Sequence, residues 1–389
     1  MAITRRTLRH VLAAGLAALG LTLSGTMPLA VHAAEPKGDP IKIGSLASMT
    51  GGTATFGQST DAGIRLATEE RNKAGGVLGR PVEIVTADDE SDTNKASLAV
   101  LKLLEQDKVV AVIGEVASSR SIAAAPSCQR AKIPLLSPAS TNPRVTKLGT
   151  YIFRSCFVDD LQGLWIAKFT ANDLKLKKAA ILTDVKNDYS TGLTKVLETE
   201  FPKLGGEIIA KESYQAGDAS FKSQLTNIKA MNPDIVFLPG YYTEVTQILK
   251  DARELGLNVP FIGGDGWDSD KTLTNGGKNV EGCYFTNHYD SSDPDPKVQD
   301  FVKRFKAKYN SVPDAMAVLG YDGANIMFDA IERAKSTDGP AIRDALAETK
   351  DFPAVTGNIT IGKDRNAVKP GVVLKIEDGK FKMVKRVEP

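Results

Sequence analysis

Two short segments concentrate the hydroxyl chemistry of this chain. The apolar run at 109–113 breaks off into Ser118 and Ser119, and the run at 133–136 into Ser137, Ser140 and Thr141. Short uninterrupted apolar runs mark strands buried on both faces, and open α/β sheets bind ligands beyond the carboxyl ends of such strands. A serine opening a helix either caps backbone N–H groups or helps them hold an anion. Two such loops side by side would form a polar cradle the size of a carboxylate. Hydrolytic chemistry lacks comparable support, because no G-x-S-x-G, H-E-x-x-H or P-loop pattern occurs.

Histidine usage narrows the choice further. His10 and His32 fall in residues 1–33, which read as a cleaved export signal, so His288 is the one histidine of the mature chain. A histidine-rich metal site within one subunit is thereby excluded, and any Ser-His-Asp triad would need His288. Its setting between Asn287 and Tyr289 reads as a strand end entering a loop, where a surface histidine is expected. Cys128, Cys156 and Cys283 are odd in number and none stands in a C-x-x-C motif, so buried free thiols are expected. Asp88, Asp89, Glu90 and Asp92 could gather oxygens around a hard cation, but a solvated loop is the expectation. Gly264-Asp265-Gly266 lacks the third glycine of a nucleotide loop, Ser269 standing there instead. No cofactor or metal is implied.

The elements that must position these residues alternate regularly. Arg5, Arg6 and Arg9 precede an apolar core at 11–23 and a small-x-small site at Val31-His32-Ala33. That core is too short to span a membrane. Removing the segment leaves 46 basic against 47 acidic residues, which offers no footprint for nucleic acid or an anionic membrane. Strands are expected at 41–47, 81–87, 109–113, 133–136 and 151–154, with helices at 60–74 and 93–106. The alternation restarts with strands at 179–183, 207–211, 235–238 and 259–262 and helices at 191–201, 221–231 and 244–255. Longer helices at 296–309 and 314–334 follow, then strands at 355–361 and 372–387, the latter turned by Asp378-Gly379. Strand–helix alternation of this kind implies parallel sheets with right-handed crossovers, here an α/β chain in two similar lobes.

From about Ile41 to the C-terminus the chain resembles a type I periplasmic binding protein of the branched-chain amino-acid (leucine/isoleucine/valine) class. These are the extracytoplasmic receptors of ABC importers. The segments IKIGSLASMTGGTATFG, VIGEVASS, IPLLSPASTNPRVT, YIFRSCFVDDLQG, LPGYYTEVTQILKDARELGL and FIGGDGWDS carry the likeness by their order. It implies two Rossmann-like lobes joined by a multi-strand hinge, 41–158 with 287–362 and 159–286 with 363–389. It also implies a non-enzymatic, monomeric periplasmic receptor, without cofactor, that closes on an amino acid and is read by a membrane permease. Export by the general secretory route rather than the twin-arginine route is expected.

Carried over residue by residue, the resemblance puts a ligand carboxylate at Ser118, Ala139 (through its backbone) and Thr141. The α-ammonium would pair with Asp265. Phe56, Tyr189 and Tyr241 would form the wall. Tyr242 and Trp267 stand nearby, and Trp267 could either stack on a ligand or pack structurally. Leucine-type members carry Glu where Asp265 stands and Tyr where Phe56 stands. Relatives that bind amides, urea or aromatic acids make those the alternative ligands, and a periplasmic sensor that feeds a signalling receptor is the alternative role.

Overall fold

Strands apolar on both faces sort into two principal sheets, because each needs helices above and below it. The computed structural model describes residues 35–389, so the expected export signal lies outside the described residues. The first lobe is built on β1 (Ile41–Ala47), β2 (Val82–Asp88), β3 (Ala111–Gly114), β4 (Leu135–Ser137) and β5 (Ile152–Arg154). All are parallel, in the order β2-β1-β3-β4-β5. The second lobe begins with β6 (Lys178–Asp184), β7 (Glu207–Tyr214), β8 (Ile235–Phe237), β9 (Phe261–Gly263) and β10 (Tyr284–Asn287). A small sheet of β11 (Phe352–Ala354), β12 (Gly357–Ile361) and β13 (Ala367–Val368) packs against the first lobe. The chain then returns to the second lobe as β14 (Gly371–Glu377) and β15 (Lys380–Val387), completing the order β15-β14-β10-β9-β8-β6-β7.

Side chains alternate across each strand, so neighbouring residues serve opposite cores. Ile113, Leu136 and Phe153 meet Met327 and Phe328 on one face of the first sheet, while Val112, Leu135 and Ile152 meet Val100, Leu103 and Cys128 on the other. In the second sheet Ala180, Leu182 and Val236 face Leu225 and Leu249, and Ile181 and Phe237 face Trp165, Leu193 and Leu197.

Four features differ from expectation. The second sheet is mixed, since β14 runs antiparallel to both β10 and β15. The expected turn at Asp378-Gly379 is present, both residues taking positive φ (55° and 65°), the backbone a tight hairpin requires. Residues 363–368 stay with the first lobe rather than the second, because Ala367 and Val368 pair with Ile361 and Thr360. The helix expected from Thr60 begins earlier, as Ala54–Lys73, which carries Phe56 to the lobe interface. Helices Asp159–Lys168 and Gly339–Ala347 were not foreseen. The former shows no apolar stripe, since Gln162, Gly163, Trp165, Ile166 and Ala167 are buried around its circumference.

The chain passes between the lobes three times: after β5, after β10 and after β13. Among the described residues no helix is long and apolar enough to cross a membrane.

Helix Ala54–Lys73 packs on helix Ala315–Ala334 at very short range. A Cβ on Gly63 would lie 1.9 Å from the Ala317 carbonyl oxygen, and one on Gly320 would lie 2.3 Å from that of Thr60. Overpacking of this kind costs roughly 1–3 kcal/mol. Gly63→Ala should therefore lower the denaturation midpoint measurably; an unchanged urea midpoint would mean that these helices separate without cost.

Candidate ligand-binding site

All but one of the residues that line the cleft lie beyond the carboxyl ends of parallel strands. In the first sheet the strand order reverses between β1 and β3, and in the second between β6 and β8. Such switch points leave a crevice where successive loops diverge. Phe56 follows β1, Val116 and Ser118 follow β3, and Ala139 and Thr141 follow β4. From the opposite lobe come Tyr189 after β6, Tyr241 after β8, and Asp265 and Gly266 after β9. Together with Met316 they line one small cavity, partly open to solvent.

The structure thus brings together Phe56, Ser118, Ala139, Thr141, Tyr189, Tyr241 and Asp265. Trp267 is not among them. Its indole is buried in the second lobe, donates Nε1–H to the Leu238 carbonyl at 3.1 Å and stacks on Phe285. Of its two possible roles, packing is the one observed. Val116, Gly266 and Met316 were missed. Met316 stands in the first turn of a helix far along the chain, and no local signal marks it.

Ser118 does not cap its helix. Ala117 is the N-cap of Ser118–Ala131, and the Ser118 hydroxyl instead accepts the Asn142 N–H at 3.2 Å. Its own proton stays free to donate toward the cavity, beside the first N–H groups of the helix, which lack intrahelical partners. Ser137 and Ser140 are structural. Ser137 donates to the Glu115 carbonyl (2.7 Å) and accepts the Ser140 N–H (2.9 Å), while the Ser140 hydroxyl lies 2.9 Å from that same carbonyl. Buried Arg154 donates to the Ser140 and Asn142 carbonyls at 2.7 and 2.6 Å, holding the loop from beneath. Thr141 is left facing the cavity, its carbonyl accepting the Asp159 N–H at 3.0 Å. Burial pushes the Asp159 carboxyl well above the usual carboxylate range.

On the opposite wall Asp265 is only 4% exposed. Gln162 Nε2 donates to Oδ1 at 3.0 Å, and His288 Nε2 lies 3.0 Å from Oδ2. His288 is therefore not the surface residue expected from its sequence setting. It is buried against Phe157, ring centroids 3.9 Å apart, because β10 ends beneath the Asp265 loop. Burial holds its pKa down at about 4. The ring faces a carboxylate, not a serine.

Aromatic rings close the cavity. Tyr189 and Tyr241 stack with centroids 5.4 Å apart, and Phe56 meets Tyr241 edge-on at 5.7 Å. Tyr242 turns away from the cavity to the opposite lobe, its hydroxyl donating to the Gly52 carbonyl at 3.1 Å. Further bonds join the lobes at the rim. The Asp188 N–H donates to Ser119 Oγ at 2.9 Å, Asn142 Nδ2 donates to the Asp188 carbonyl at 2.6 Å, and the Ala315 N–H donates to Asp268 Oδ2 at 2.7 Å.

The acidic run beyond β2 is occupied with local tasks. Asp88 accepts from the Met49 N–H and the Thr50 hydroxyl, and Asp92 caps the helix Thr93–Glu105. Asp89 is buried beside Glu115 and Arg120, and burial together with Glu115 raises its pKa. Among the described residues no group of His, Cys, Asp and Glu is arranged to hold a metal ion. Cys128, Cys156 and Cys283 are buried free thiols.

Comparison with known proteins agrees with this architecture. The periplasmic binding protein family model matches residues 40–380. The Leu/Ile/Val-binding protein BraC3 of Rhizobium johnstonii is 30% identical, the match covering 92% of this chain and 98% of that one. The solved leucine binding protein LivK of Thermotoga maritima is 37% identical with a TM-score of 0.86, covering 90% of this chain and 99% of its own. LivJ of Streptococcus pneumoniae, solved in complex with isoleucine, is 33% identical with a TM-score of 0.86, covering 90% and 100%. With its matched length, two-lobed fold and interlobe cavity, this chain belongs to the periplasmic binding protein family.

Proposed function

We propose that this chain is the extracytoplasmic receptor of an ABC importer and binds a branched-chain or other apolar amino acid between its lobes. The observation that carries the reading is one small cavity with two opposite polar poles. The Ser118 and Thr141 hydroxyls and the helix N–H groups that begin at Ser118 stand on one side, and the Asp265 carboxylate on the other. Burying a lone charge is costly, so a zwitterion that answers both poles suits the cavity better than a simple acid or amine. The α-carboxylate is held by Ser118, Thr141 and the backbone at Ala139, and the α-ammonium by Asp265. Phe56, Val116, Met316 and Tyr241 give the ligand side chain an apolar wall. The names of the similar receptors from Rhizobium, Thermotoga and Streptococcus point to the same ligand class.

The ligand docks first on the lobe that carries Ser118 and Thr141. Closure then brings Tyr189, Tyr241 and Asp265 over it, so that binding favours the closed form. A membrane permease reads that form. The receptor acts as a periplasmic monomer after loss of its leader through the general secretory route, and it performs no catalysis.

A thermal-shift panel on refolded, ligand-stripped protein tests the reading. At about a hundredfold excess over Kd a ligand stabilises by about 2.7 kcal/mol, enough to move the midpoint by a few degrees. Branched-chain amino acids should give that shift; a response confined to amides, urea or aromatic acids would overturn the ligand class. Asp265→Ala should abolish amino-acid binding in calorimetry while the ligand-free protein stays folded. Unaltered affinity in that variant would remove Asp265 from the site.

A further inference from the structure

Asp265 is short for a group that must meet a ligand across a cleft, and both of its oxygens are held from elsewhere in the chain. Gln162, on helix Asp159–Lys168, grips it at two points. Nε2 donates to Oδ1 at 3.0 Å, and Oε1 accepts the Asp265 N–H at 3.2 Å. The approach depends on Gly264, where a Cβ would lie 1.6 Å from Gln162 Oε1. His288 supplies the third contact, Nε2 to Oδ2 at 3.0 Å. Its Nδ1 has no hydrogen-bond partner, so the proton belongs on Nε2, where a carboxylate can accept it.

His288 also sits where the lobes are joined. It follows β10 on the second crossing, Phe157 of the first crossing stacks on its ring, and buried Lys369 lies on the third. Asp265 and Lys369 are the charged groups that act on the ring, while the Arg386–Asp293 pair lines a cavity along its other side. One neutral donor on each carboxylate oxygen leaves each a free lone pair directed elsewhere.

Building on the receptor reading above, we propose that His288 and Gln162 are positioning residues that aim the free lone pairs of Asp265 at the ligand's α-ammonium. They thereby set the preference for an α-amino acid over the same skeleton without its amine. Neither touches the ligand.

The test compares L-leucine with 4-methylpentanoate, by calorimetry and by competition, on ligand-stripped protein and its variants. His288→Phe keeps the ring and the Phe157 stack but loses the donor. It should weaken L-leucine binding roughly tenfold or more, as loss of a hydrogen bond to a charged group implies, while 4-methylpentanoate changes little. His288→Gln, whose amide reaches the Nε2 position, should recover most of the preference. An equal loss for both ligands, an unchanged ratio, or no recovery in the Gln variant would each overturn the proposal. A wild-type protein that binds no branched-chain amino acid would instead overturn the receptor reading.

The pH response gives a second readout. Between its ordinary pKa near 6.5 and about 4, His288 takes up a proton in the unfolded chain but not in the folded one. Stability is therefore lost as pH falls through that window. Wild type should lose more stability than His288→Gln between pH 7 and about pH 4.5. Equal losses would mean that the ring titrates alike in the folded and unfolded chains, and a smaller loss in wild type that the folded ring is already charged and competes with the ligand's ammonium for Asp265; either result would overturn the proposal.

Discussion

A carboxylate buried between two lobes must be met by hydrogen-bond donors or by a cation, and the arrangement around Asp265 follows from that demand. An ionised carboxyl in a poorly hydrated place carries a penalty of several kcal/mol unless its lone pairs are engaged. Gln162 and His288 meet part of the demand from two separate segments, one entering the second lobe and one leaving it. The remaining capacity faces the cavity. The orientation of Asp265 toward the cavity and the packing of the lobe junction thus draw on the same few hydrogen bonds.

The opposite pole is built by a different device. The loops beyond β3 and β4 carry small hydroxyl residues, yet only some of these face the cavity. Ser137 and Ser140 spend their hydroxyls tying the two loops together around the Glu115 carbonyl, and Arg154 fixes the second loop through backbone oxygens. This leaves Ser118 in the first turn of its helix and Thr141 in the loop that shares its cavity, where the helix N–H groups and the aligned peptide dipoles favour an anion. Rigid placement matters because a carboxylate is discriminated by donor geometry as well as by charge.

Closure itself rests on modest interactions. The bonds at Gly52, Ser119, Asp188 and Asp268 and the Phe56 edge contacts are each worth about 1 kcal/mol net. A sum of that size can be offset by the rehydration of an open cleft, so a ligand that adds contacts only in the closed form can decide the balance. The three crossings restrict the motion to a hinge, since three chains passing side by side resist twisting more than one linker would.

Much of this was written into local sequence. Short apolar runs ending in small residues located β3, β4, β8 and β9 to within a few positions, because buried parallel strands must be apolar on both faces and must end where polar loops begin. The order of the quoted segments pointed to the family, and with it to Ser118, Ala139, Thr141, Tyr189, Tyr241, Asp265 and Phe56. Tertiary structure alone decided the rest. Nothing near Met316 announces that its helix starts at the cleft, and nothing near Trp267 says that its ring turns into the core while its neighbour Gly266 lines the cavity. His288 reads as a surface residue in its own loop and becomes a buried partner of Asp265 only when β10 is set beside β9. Local patterning reports what a residue's immediate neighbours need. Which distant side chain meets it depends on how the sheets are ordered and how the lobes close, and those choices are made by burial summed over the whole chain.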